Sequence, residues 1–427
     1  MFTITIFLAS LLAAMVIGVP VAFALLVSGA ALMLHLNAFD PRIIAESMIN
    51  GADSFPLLAV PFFMLAGELM NKGGLSRRIV ELALAVVGHV RGGLGYVTIF
   101  AAIGMASLSG SAVADTAALA AILVPMMRNA GYSLPRVCGL MAAGGIIAPV
   151  IPPSIGFIVF GVAAGVSITK LFLAGIVPGI LMGLSLVIAW WWVMRTEVVT
   201  SQPRRSLADI RKALLASVWA LGLPALILGG LKFAIFTPTE AAVVAVFYAL
   251  CIGMFVYREI QLQDLFGLVV AAAKTSSAVM FLVAAAFVSA WLITIAEIPA
   301  HLGEALRPFS HDKTLLMIVI MVLVLAVGSA LDFIPTVLIL TPILMPVIKS
   351  AGIDPVYFGV LFIMNNAIGL LTPPVGVVLN VVAAVAGVSM REVTRGVWPF
   401  LVSQVAVLVL LIFFPALVMV PLAWFLK

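Results

Sequence analysis

Apolar stretches follow one another along this chain, and only one polar connector of any length, residues 195–212, lies between them. Hydrophobic residues make up 64% of the 427 residues and charged residues only 9%, whereas a soluble domain carries roughly 25% charged residues. Such a chain has too little polar surface to coat a water-soluble globule, and one bilayer crossing needs about 20 apolar residues. The sequence therefore predicts an all-α polytopic membrane protein. It excludes a soluble enzyme, a disulfide-rich secreted scaffold and a disordered chain.

The connector is basic, because it carries five arginine and lysine residues against Glu197 and Asp209. The positive-inside rule places such a segment in the cytoplasm. Basic loops of this kind account for the net charge of +5, so the charge does not indicate nucleic-acid binding. Trp190, Trp191 and Trp192 stand just before the connector and predict an aromatic belt at the interface with membrane lipid.

The two sides of the connector resemble each other at an offset of 221 residues. The matching positions are Pro125 and Pro346, Gly131 and Gly352, Pro152–Pro153 and Pro373–Pro374, Gly175 and Gly396, and Pro178 and Pro399. We interpret this as an internal duplication, with residues 1–194 as the first repeat and residues 213–427 as the second. We count five spans and one hairpin in each half. An odd number of crossings favours two inverted repeats.

Each half contains a cluster of small and polar residues between two apolar arms. The clusters are SLSGSAVADT (107–116) and GSALDFIPT (328–336), again 221 residues apart. Arms of about ten to fifteen residues are too short to cross a bilayer. The pattern therefore predicts two re-entrant hairpins with polar tips, at about 96–128 and 314–348.

Each half also contains a proline pair inside a long apolar run, in APVIPPS (148–154) and LLTPPVG (370–376). Adjacent prolines remove two backbone donors and clash with the preceding turn. We therefore predict helices broken at mid-depth, over about 136–165 and 355–388. A break at that depth is tolerated only where it lines a polar cavity or packs inside protein. The alternative interpretation is that the prolines and glycines only kink packed helices, as they often do in membrane proteins.

Broken helices and polar tips predict binding sites. Free carbonyl groups at half-helix C-termini ligate a small hard cation, and half-helix N-termini attract an anion. Oxygen ligands without clustered cysteine or histidine suit an alkali or alkaline-earth cation. Hydroxyl and amide side chains such as that of Thr336 add to the polar groups. The candidate substrate-binding residues are Ser109, Ser111, Asp115, Pro152, Pro153, Ser154, Asn365, Asn366, Thr372, Pro374 and Asn380.

Charged residues within apolar segments are costly in lipid, so each is a functional candidate. They are Glu68, Asp115, Glu240, Lys274, Glu297 and Asp332. Asp115 and Asp332 lie at or next to the predicted tips. The alternative for both is an N-cap of the second hairpin arm. For Glu240, in FTPTEAA, capping of a helix N-terminus is the favoured interpretation.

Several motifs of soluble catalysts are missing from the sequence. It contains no G-x-x-x-x-G-K-[ST] phosphate loop, no H-E-x-x-H and no G-x-S-x-G, so ATP hydrolysis through a phosphate loop is excluded. A membrane-embedded enzyme acting on lipid-linked substrates would need clustered histidine and carboxylate groups, but the four histidines are dispersed. A purely structural membrane anchor would not need polar breaks. A transporter driven by an ion gradient or a partner is the favoured interpretation, and the chain is predicted not to be an enzyme.

Longer motifs point to a family. They are NGADSFPLLAVPFFMLAGELMNKGGLSRRI (50–79), GHVRGGLGYV (88–97), SLSGSAVADTAA (107–118), GGIIAPVIPPSIGFIVFG (144–161), FTPTEAAVVA (236–245) and GLLTPPVGVVLNV (369–381). Over essentially its whole length the chain resembles the large membrane subunit (DctM-like, M subunit) of tripartite ATP-independent periplasmic (TRAP) transporters. The resemblance implies a sodium-coupled importer of the bacterial inner membrane. It also implies two partners, a small four-helix membrane subunit (Q type) and a periplasmic substrate-binding protein (P type). Family substrates are organic acids: C4-dicarboxylates, sialic acid and other sugar acids, and keto acids.

The resemblance also implies an elevator mechanism with Na+ as the coupling ion. The hairpins and broken helices are then expected to form a transport domain, which moves against a scaffold that includes residues 3–36 and 213–256. A one-component sodium–carboxylate symporter of related hairpin architecture is the alternative. The positions that match the family's sodium sites are Ser109, Gly110, Ser111, Pro149, Pro152, Gly328, Asp332, Gly369, Thr372 and Pro373.

Overall fold

The computed structural model describes residues 2–195, 197, 199, 203–309 and 311–426, and every regular element within these ranges is helical. The helices are α1 (Phe2–Val16), α2 (Val21–His35), α3 (Pro41–Ala52), α4 (Ala59–Lys72), α5 (Leu75–Val87), α6 (Gly93–Ser109), α7 (Ala112–Asn129), α8 (Leu134–Gly145), α9 (Ile155–Ala164), α10 (Ile168–Met194), α11 (Leu207–Lys232), α12 (Pro238–Cys251), α13 (Leu262–Ile295), α14 (Ile298–Leu306), α15 (Lys313–Gly328), α16 (Phe333–Ser350), α17 (Pro355–Leu371), α18 (Val377–Ala386), α19 (Met390–Phe413) and α20 (Ala416–Phe425). Short 3-10 turns at Phe55–Leu58 and Arg307–Phe309 and a π-helical turn at Ile252–Val256 complete the set. Residues 196, 198 and 200–202 of the predicted connector lie outside the described residues.

Six of the described helices are long and apolar enough to cross a membrane, namely α10, α11, α12 with its π-helical turn, α13, α16 and α19. The number becomes seven if α3 and the helix that begins at Phe55, which meet at 60°, form one bent span. This is a multi-pass membrane architecture, as the composition predicts. Five spans and one hairpin per half remains a prediction, because shorter apolar helices contribute to the count.

The two segments predicted as hairpins form helix pairs that pack together, α6 with α7 and α15 with α16; re-entry without crossing the membrane stays a prediction. The first pair turns at residues 110–111 and the second at residues 329–332. The predicted arm length of ten to fifteen residues is wrong, because the four arms have 17, 18, 16 and 18 residues. Helix continues into the polar residues that flank each tip, so the apolar run underestimates the length of the arm.

Both predicted helix breaks are present as well. Residues 146–154 separate α8 from α9, and residues 372–376 separate α17 from α18. The long helix α10 runs from the end of α9 back to the start of α8, where Arg136 forms an ion pair with Glu197 at 2.5 Å. With 27 residues, α10 is about 40 Å long. The first break lies partway along α10, because Val150 and Ile151 pack against Gly175 and Gly179.

The helix contacts follow the proposed duplication. Helix α7 of the first half packs against α18 of the second, and the equivalent pair, α16 of the second half and α9 of the first, also packs together. In the same way α8 packs against α19, and α17 packs against α10. These two pairs of contacts across the halves are thus retained when each helix is exchanged for its equivalent, and the halves interlock.

The directions of the equivalent helices are opposed. The start of α8 lies beside the start of α19, because a Cβ atom on Gly396 would overlap the carbonyl oxygen of Pro135. The start of α17 lies beside the end of α19, because the Tyr357 hydroxyl donates to the Leu411 carbonyl at 2.9 Å. Equivalent helices therefore begin at opposite ends of α19, which is the geometry expected of inverted repeats.

The predicted aromatic belt is wrong for one of its three members. Trp190 is fully buried, and its Nε1–H donates to the carbonyl of Gly92 at 2.8 Å. Its ring stacks with Tyr132 and Phe400 at centroid distances of 6.1 and 6.2 Å. Trp191 and Trp192 are 51% and 63% exposed, as a belt requires.

Candidate functional site

The first hairpin tip, residues 109–111, is built from three small residues. Gly110 adopts φ 62°, a left-handed conformation that glycine reaches without strain. The Ser111 hydroxyl caps α7 by accepting from the Ala114 N–H at 3.4 Å, and the Ser111 N–H donates to Ser109 Oγ at 3.1 Å. Hydrogen bonds between its own backbone and side-chain groups therefore fix the conformation of the tip.

Asp115 lies one turn inside α7 and is only 1% exposed. Ser109 Oγ donates to Asp115 Oδ1 at 2.5 Å, while Asp115 Oδ2 and Thr116 Oγ1 have no hydrogen-bond partner among the described residues. The alternative that Asp115 caps α7 is wrong, because Ser111 occupies the cap position. Leaving a buried acceptor unsatisfied costs about 1–3 kcal/mol, so these two oxygens suit a ligand that carries positive charge or a donor.

The first tip lies directly against the first break. A Cβ atom on Gly110 would come within 2.5 Å of the Pro153 carbonyl oxygen, so glycine permits the close approach. Ser154 caps α9 by accepting from the Phe157 N–H at 3.2 Å, and its hydroxyl donates to the Pro149 carbonyl at 2.5 Å. The Pro152–Pro153 peptide bond is cis. The structure thus brings together the candidate residues of the first tip and the first break.

The second tip lies against the second broken helix through backbone contact. A Cβ atom on Gly369 would come within 2.7 Å of the carbonyl carbon of Gly328. Asn366 Nδ2 donates to the Phe333 carbonyl at 2.7 Å, which ties α17 to the first turn of α16. Asp332 caps α16 by accepting from the Phe333 N–H at 2.7 Å, so the capping alternative is correct in geometry for this carboxylate.

Three further polar residues of the second half bond within their own segments. Thr372 donates to the Ile368 carbonyl at 2.8 Å, Asn380 donates to the Val375 carbonyl at 2.7 Å, and Thr336 donates to the Asp332 carbonyl at 2.9 Å. The Pro373–Pro374 peptide bond is cis.

Asn365 points to a different neighbour from the other candidates. Its Nδ2 donates to the Met321 carbonyl of α15 at 2.6 Å, which places the side chain on the hairpin arm and not at the tip. The Oδ1 atoms of Asn365 and Asn366 have no hydrogen-bond partner among the described residues.

The two halves of the site converge at the N-terminus of α9. The first tip contacts this end through Gly110, because a Cβ atom on this residue would lie 3.3 Å from the backbone nitrogen of Ile155. The second tip reaches it through Phe333, because a Cβ atom on Gly156 would come within 2.7 Å of the Phe333 ring. A helix N-terminus carries a partial positive charge and free N–H groups, so it attracts an anion.

A cavity of about 90 Å³ lies beside the first tip. Its polar lining residues are Ser109 and Ser111 of the tip, Glu68 and Asn71 of α4, and Thr275 of α13. Sequence reasoning marked Glu68 without a role and missed Asn71 and Thr275. The signal for Asn71 was its i,i+3 spacing from Glu68, which puts both polar side chains on one helix face.

The described residues contain no group of three or more histidine, cysteine, aspartate or glutamate side chains that could hold a metal ion. Glu240 forms a capping box with Thr237, whose N–H donates to the Glu240 carboxylate at 2.7 Å, as the sequence predicted. The polar groups that meet at the tips are hydroxyl, amide, carbonyl and single carboxylate oxygens. Oxygen groups of this kind suit a hard cation rather than a transition metal.

A family model described as "Tripartite ATP-independent periplasmic transporter, DctM component" matches residues 8–417. The chain belongs to the DctM family. It is 55% identical to the 2,3-diketo-L-gulonate TRAP transporter large permease protein YiaN of Escherichia coli, with 99% of each chain covered. It is 37% identical to the sialic acid TRAP transporter large permease protein SiaM of Vibrio cholerae, with 93% of each covered. It is 34% identical to the C4-dicarboxylate TRAP transporter large permease protein DctM of Pseudomonas aeruginosa, with 91% of each covered.

Two solved structures share the fold of this DctM-family chain. Neisseria gonorrhoeae MtrF matches with a TM-score of 0.57 at 13% identity, over 90% of this chain and 86% of that one. The Alcanivorax borkumensis YdaH transporter matches with a TM-score of 0.64 at 14% identity, over 92% and 91%. At this identity the likeness concerns the fold alone. The family and the membrane architecture make the chain a permease subunit of the inner membrane, not an enzyme.

Proposed function

We propose that this chain is the sodium-coupled permease subunit of a tripartite importer, which moves an organic acid across the inner membrane by an elevator mechanism. The relatives named above are designated transporters of diketogulonate, sialic acid and C4-dicarboxylates, all of which are organic acids. The observation that carries the proposal is the convergence of both hairpin tips on the N-terminus of α9.

The groups that meet at the N-terminus of α9 suit both the organic acid and the sodium ion. The N-terminus of α9 attracts the carboxylate of an organic acid. In the first half the unsatisfied oxygens of Asp115 and Thr116, and in the second half that of Asn366, suit sodium together with carbonyl groups of the neighbouring break. The proposed sodium sites are therefore those predicted at the tips and breaks.

Two partners belong to the proposal. The isethionate TRAP transporter permease protein DctMQ of Oleidesulfovibrio alaskensis is longer than this chain, which covers 64% of it. The sialic acid TRAP transporter permease protein SiaT of Haemophilus influenzae is also longer, with 66% covered. We propose that the additional length in both corresponds to a small four-helix subunit, and that this permease works together with such a subunit. A periplasmic binding protein delivers the substrate.

Uptake by the reconstituted system tests the proposal. Proteoliposomes with both membrane subunits, supplied with the loaded binding protein, are expected to accumulate substrate only under an inward sodium gradient. An inside-negative potential is expected to increase the rate. Undiminished uptake with potassium replacing sodium on both sides, without a proton gradient, would contradict sodium coupling. Full uptake of free substrate without the binding protein would favour the one-component symporter.

A further inference from the structure

A large apolar groove lies on the outer surface of the molecule between α10 and α19. Its volume is about 740 Å³, and its lining includes Ile188, Trp192, Trp398, Val402 and Leu410. Ile188 and Val402 are 66% and 62% exposed. Neither hairpin tip nor either break contributes to this groove, so it is separate from the site described above.

Tryptophan side chains gather at one end of the groove. The helices α10 and α19 run antiparallel, because Trp190 stacks with Phe400 while Gln404 donates to the carbonyl of Met182 at 3.2 Å. The end of α10 therefore lies beside the start of α19. Trp191, Trp192 and Trp398 project there and are 51%, 63% and 53% exposed. Exposed tryptophans mark the level of the lipid head groups.

Three arginines lie at the same end. Arg391, Arg395, Trp398 and Val402 are spaced by four, three and four residues, which places them on one face of α19. Arg195 follows α10, with its guanidinium carbon 3.7 Å from the centre of the Trp191 ring. All three arginines are exposed.

The acidic residues near this end are already engaged. Glu197 pairs with Arg136, and the Glu392 carboxylate accepts from the Ser389 N–H at 2.9 Å. Within the described residues no ion pair involves Arg195, Arg391 or Arg395. Uncompensated positive charge therefore stands at the open end of an apolar groove.

We propose that this groove is a binding site for an anionic phospholipid. An acyl chain lies along the groove, the tryptophan rings contact the ester and head-group region, and Arg195, Arg391 and Arg395 bind the phosphate. Basic residues next to membrane-spanning helices attract anionic lipid head groups, and guanidinium groups bind phosphate oxygens in pairs. A water-soluble phosphate would use the arginines but not the apolar groove, so the full set of residues fits a lipid.

Native mass spectrometry of the purified permease measures this directly. The probes are phosphatidylglycerol and phosphatidylcholine with identical acyl chains, and sn-glycerol 3-phosphate as a head group without chains. Wild-type protein is expected to retain phosphatidylglycerol about tenfold better than phosphatidylcholine, and sn-glycerol 3-phosphate is expected not to displace it. The triple variant Arg195→Gln/Arg391→Gln/Arg395→Gln is expected to lose the preference.

The matched control is Arg204→Gln/Arg205→Gln, which removes two exposed arginines that do not line the groove. It is expected to retain the lipid as wild type does. If the triple variant fails to fold, Arg195→Gln alone is measured and is expected to reduce the preference severalfold. Equal retention of both lipids by wild type, or an unchanged preference in the arginine variants, overturns the proposal. Release of bound phosphatidylglycerol on assembly with the small subunit would assign the groove to a partner helix and would also overturn it.

Discussion

Ser111 and Asp332 stand at equivalent positions 221 residues apart, and each caps the second arm of its hairpin. The carboxylates are nevertheless placed differently in the two tips. The first tip holds Asp115 buried inside α7, where the second tip has Thr336 at the equivalent position. The second tip carries its carboxylate at the exposed cap. One half of the site therefore offers an interior acidic group and the other a surface one.

Removal of the Ser109 hydroxyl is expected to impair the first tip. In Ser109→Ala the buried Asp115 carboxylate loses its described donor, at a cost of about 1–3 kcal/mol. We expect a lower thermal unfolding midpoint and weaker sodium dependence of uptake. Ser107→Ala is the control, because Ser107 donates only to the Gly104 carbonyl of its own helix. Equal effects of the two substitutions would argue against a role for the Ser109–Asp115 pair.

Two substitutions test the capping role of Asp332 and the role of its charge separately. Asp332→Ala removes both, and loss of a cap costs about 1 kcal/mol. Asp332→Ser retains a cap of the kind that Ser111 provides but removes the charge. If the carboxylate attracts sodium, both variants need a severalfold higher sodium concentration for half-maximal uptake, while insertion and assembly with the small subunit are preserved. Normal sodium dependence in Asp332→Ser would leave capping as the only role of this residue.

At the level of helices, the sequence predicted the positions of the helix breaks better than the lengths of the hairpin arms. Proline pairs and clusters of small polar residues act locally on the backbone, so the breaks predicted at 148–154 and 370–376 lie within two residues of those in the structure, 146–154 and 372–376. Arm length depends on where the flanking polar residues find partners, which hydropathy does not show. Trp190 is buried because Gly95 leaves room for its ring, a fact of packing between distant helices. The contribution of Asn71 and Thr275 to the cavity likewise depends on three-dimensional packing.

The contact between α15 and α17 depends on two glycines. Gly369→Ala would place a methyl group within 2.7 Å of the Gly328 backbone, so the second tip must move away from its broken helix. Overpacking of this kind costs about 1–3 kcal/mol. We expect strongly reduced uptake by a protein that still inserts and assembles with the small subunit. Gly229→Ala, where no neighbour lies within 4 Å, is the control and is expected to transport normally.

Across the whole molecule, α4 connects two regions with different proposed roles. It packs against α12, which lies within the predicted scaffold. It also contacts the first tip, because a Cβ atom on Gly67 would lie 3.8 Å from Ser109 Cβ. A rigid movement of the tip against the scaffold must break this second contact.

A disulfide between Gly67→Cys and Ser109→Cys is therefore expected to stop uptake. The separation of 3.8 Å between the Cβ positions matches that of a relaxed disulfide. The exposed Cys251 is replaced by serine in the background to avoid other pairings. Uptake is measured before and after reduction, with assembly checked by co-purification of the small subunit. Full uptake by the oxidised protein would contradict movement of the tip relative to α4.

The interlocked halves also set an order of events during synthesis. About 245 residues separate the end of α8 at Gly145 from the start of its partner α19 at Met390, so roughly 10–50 s of translation pass before the two can meet. The partners of α7 and α9 are also encoded in the second half. During this interval the polar tip and break of the first half stand in the bilayer without their final neighbours. We therefore expect the nascent chain to need temporary protection of these groups until its last helices are made.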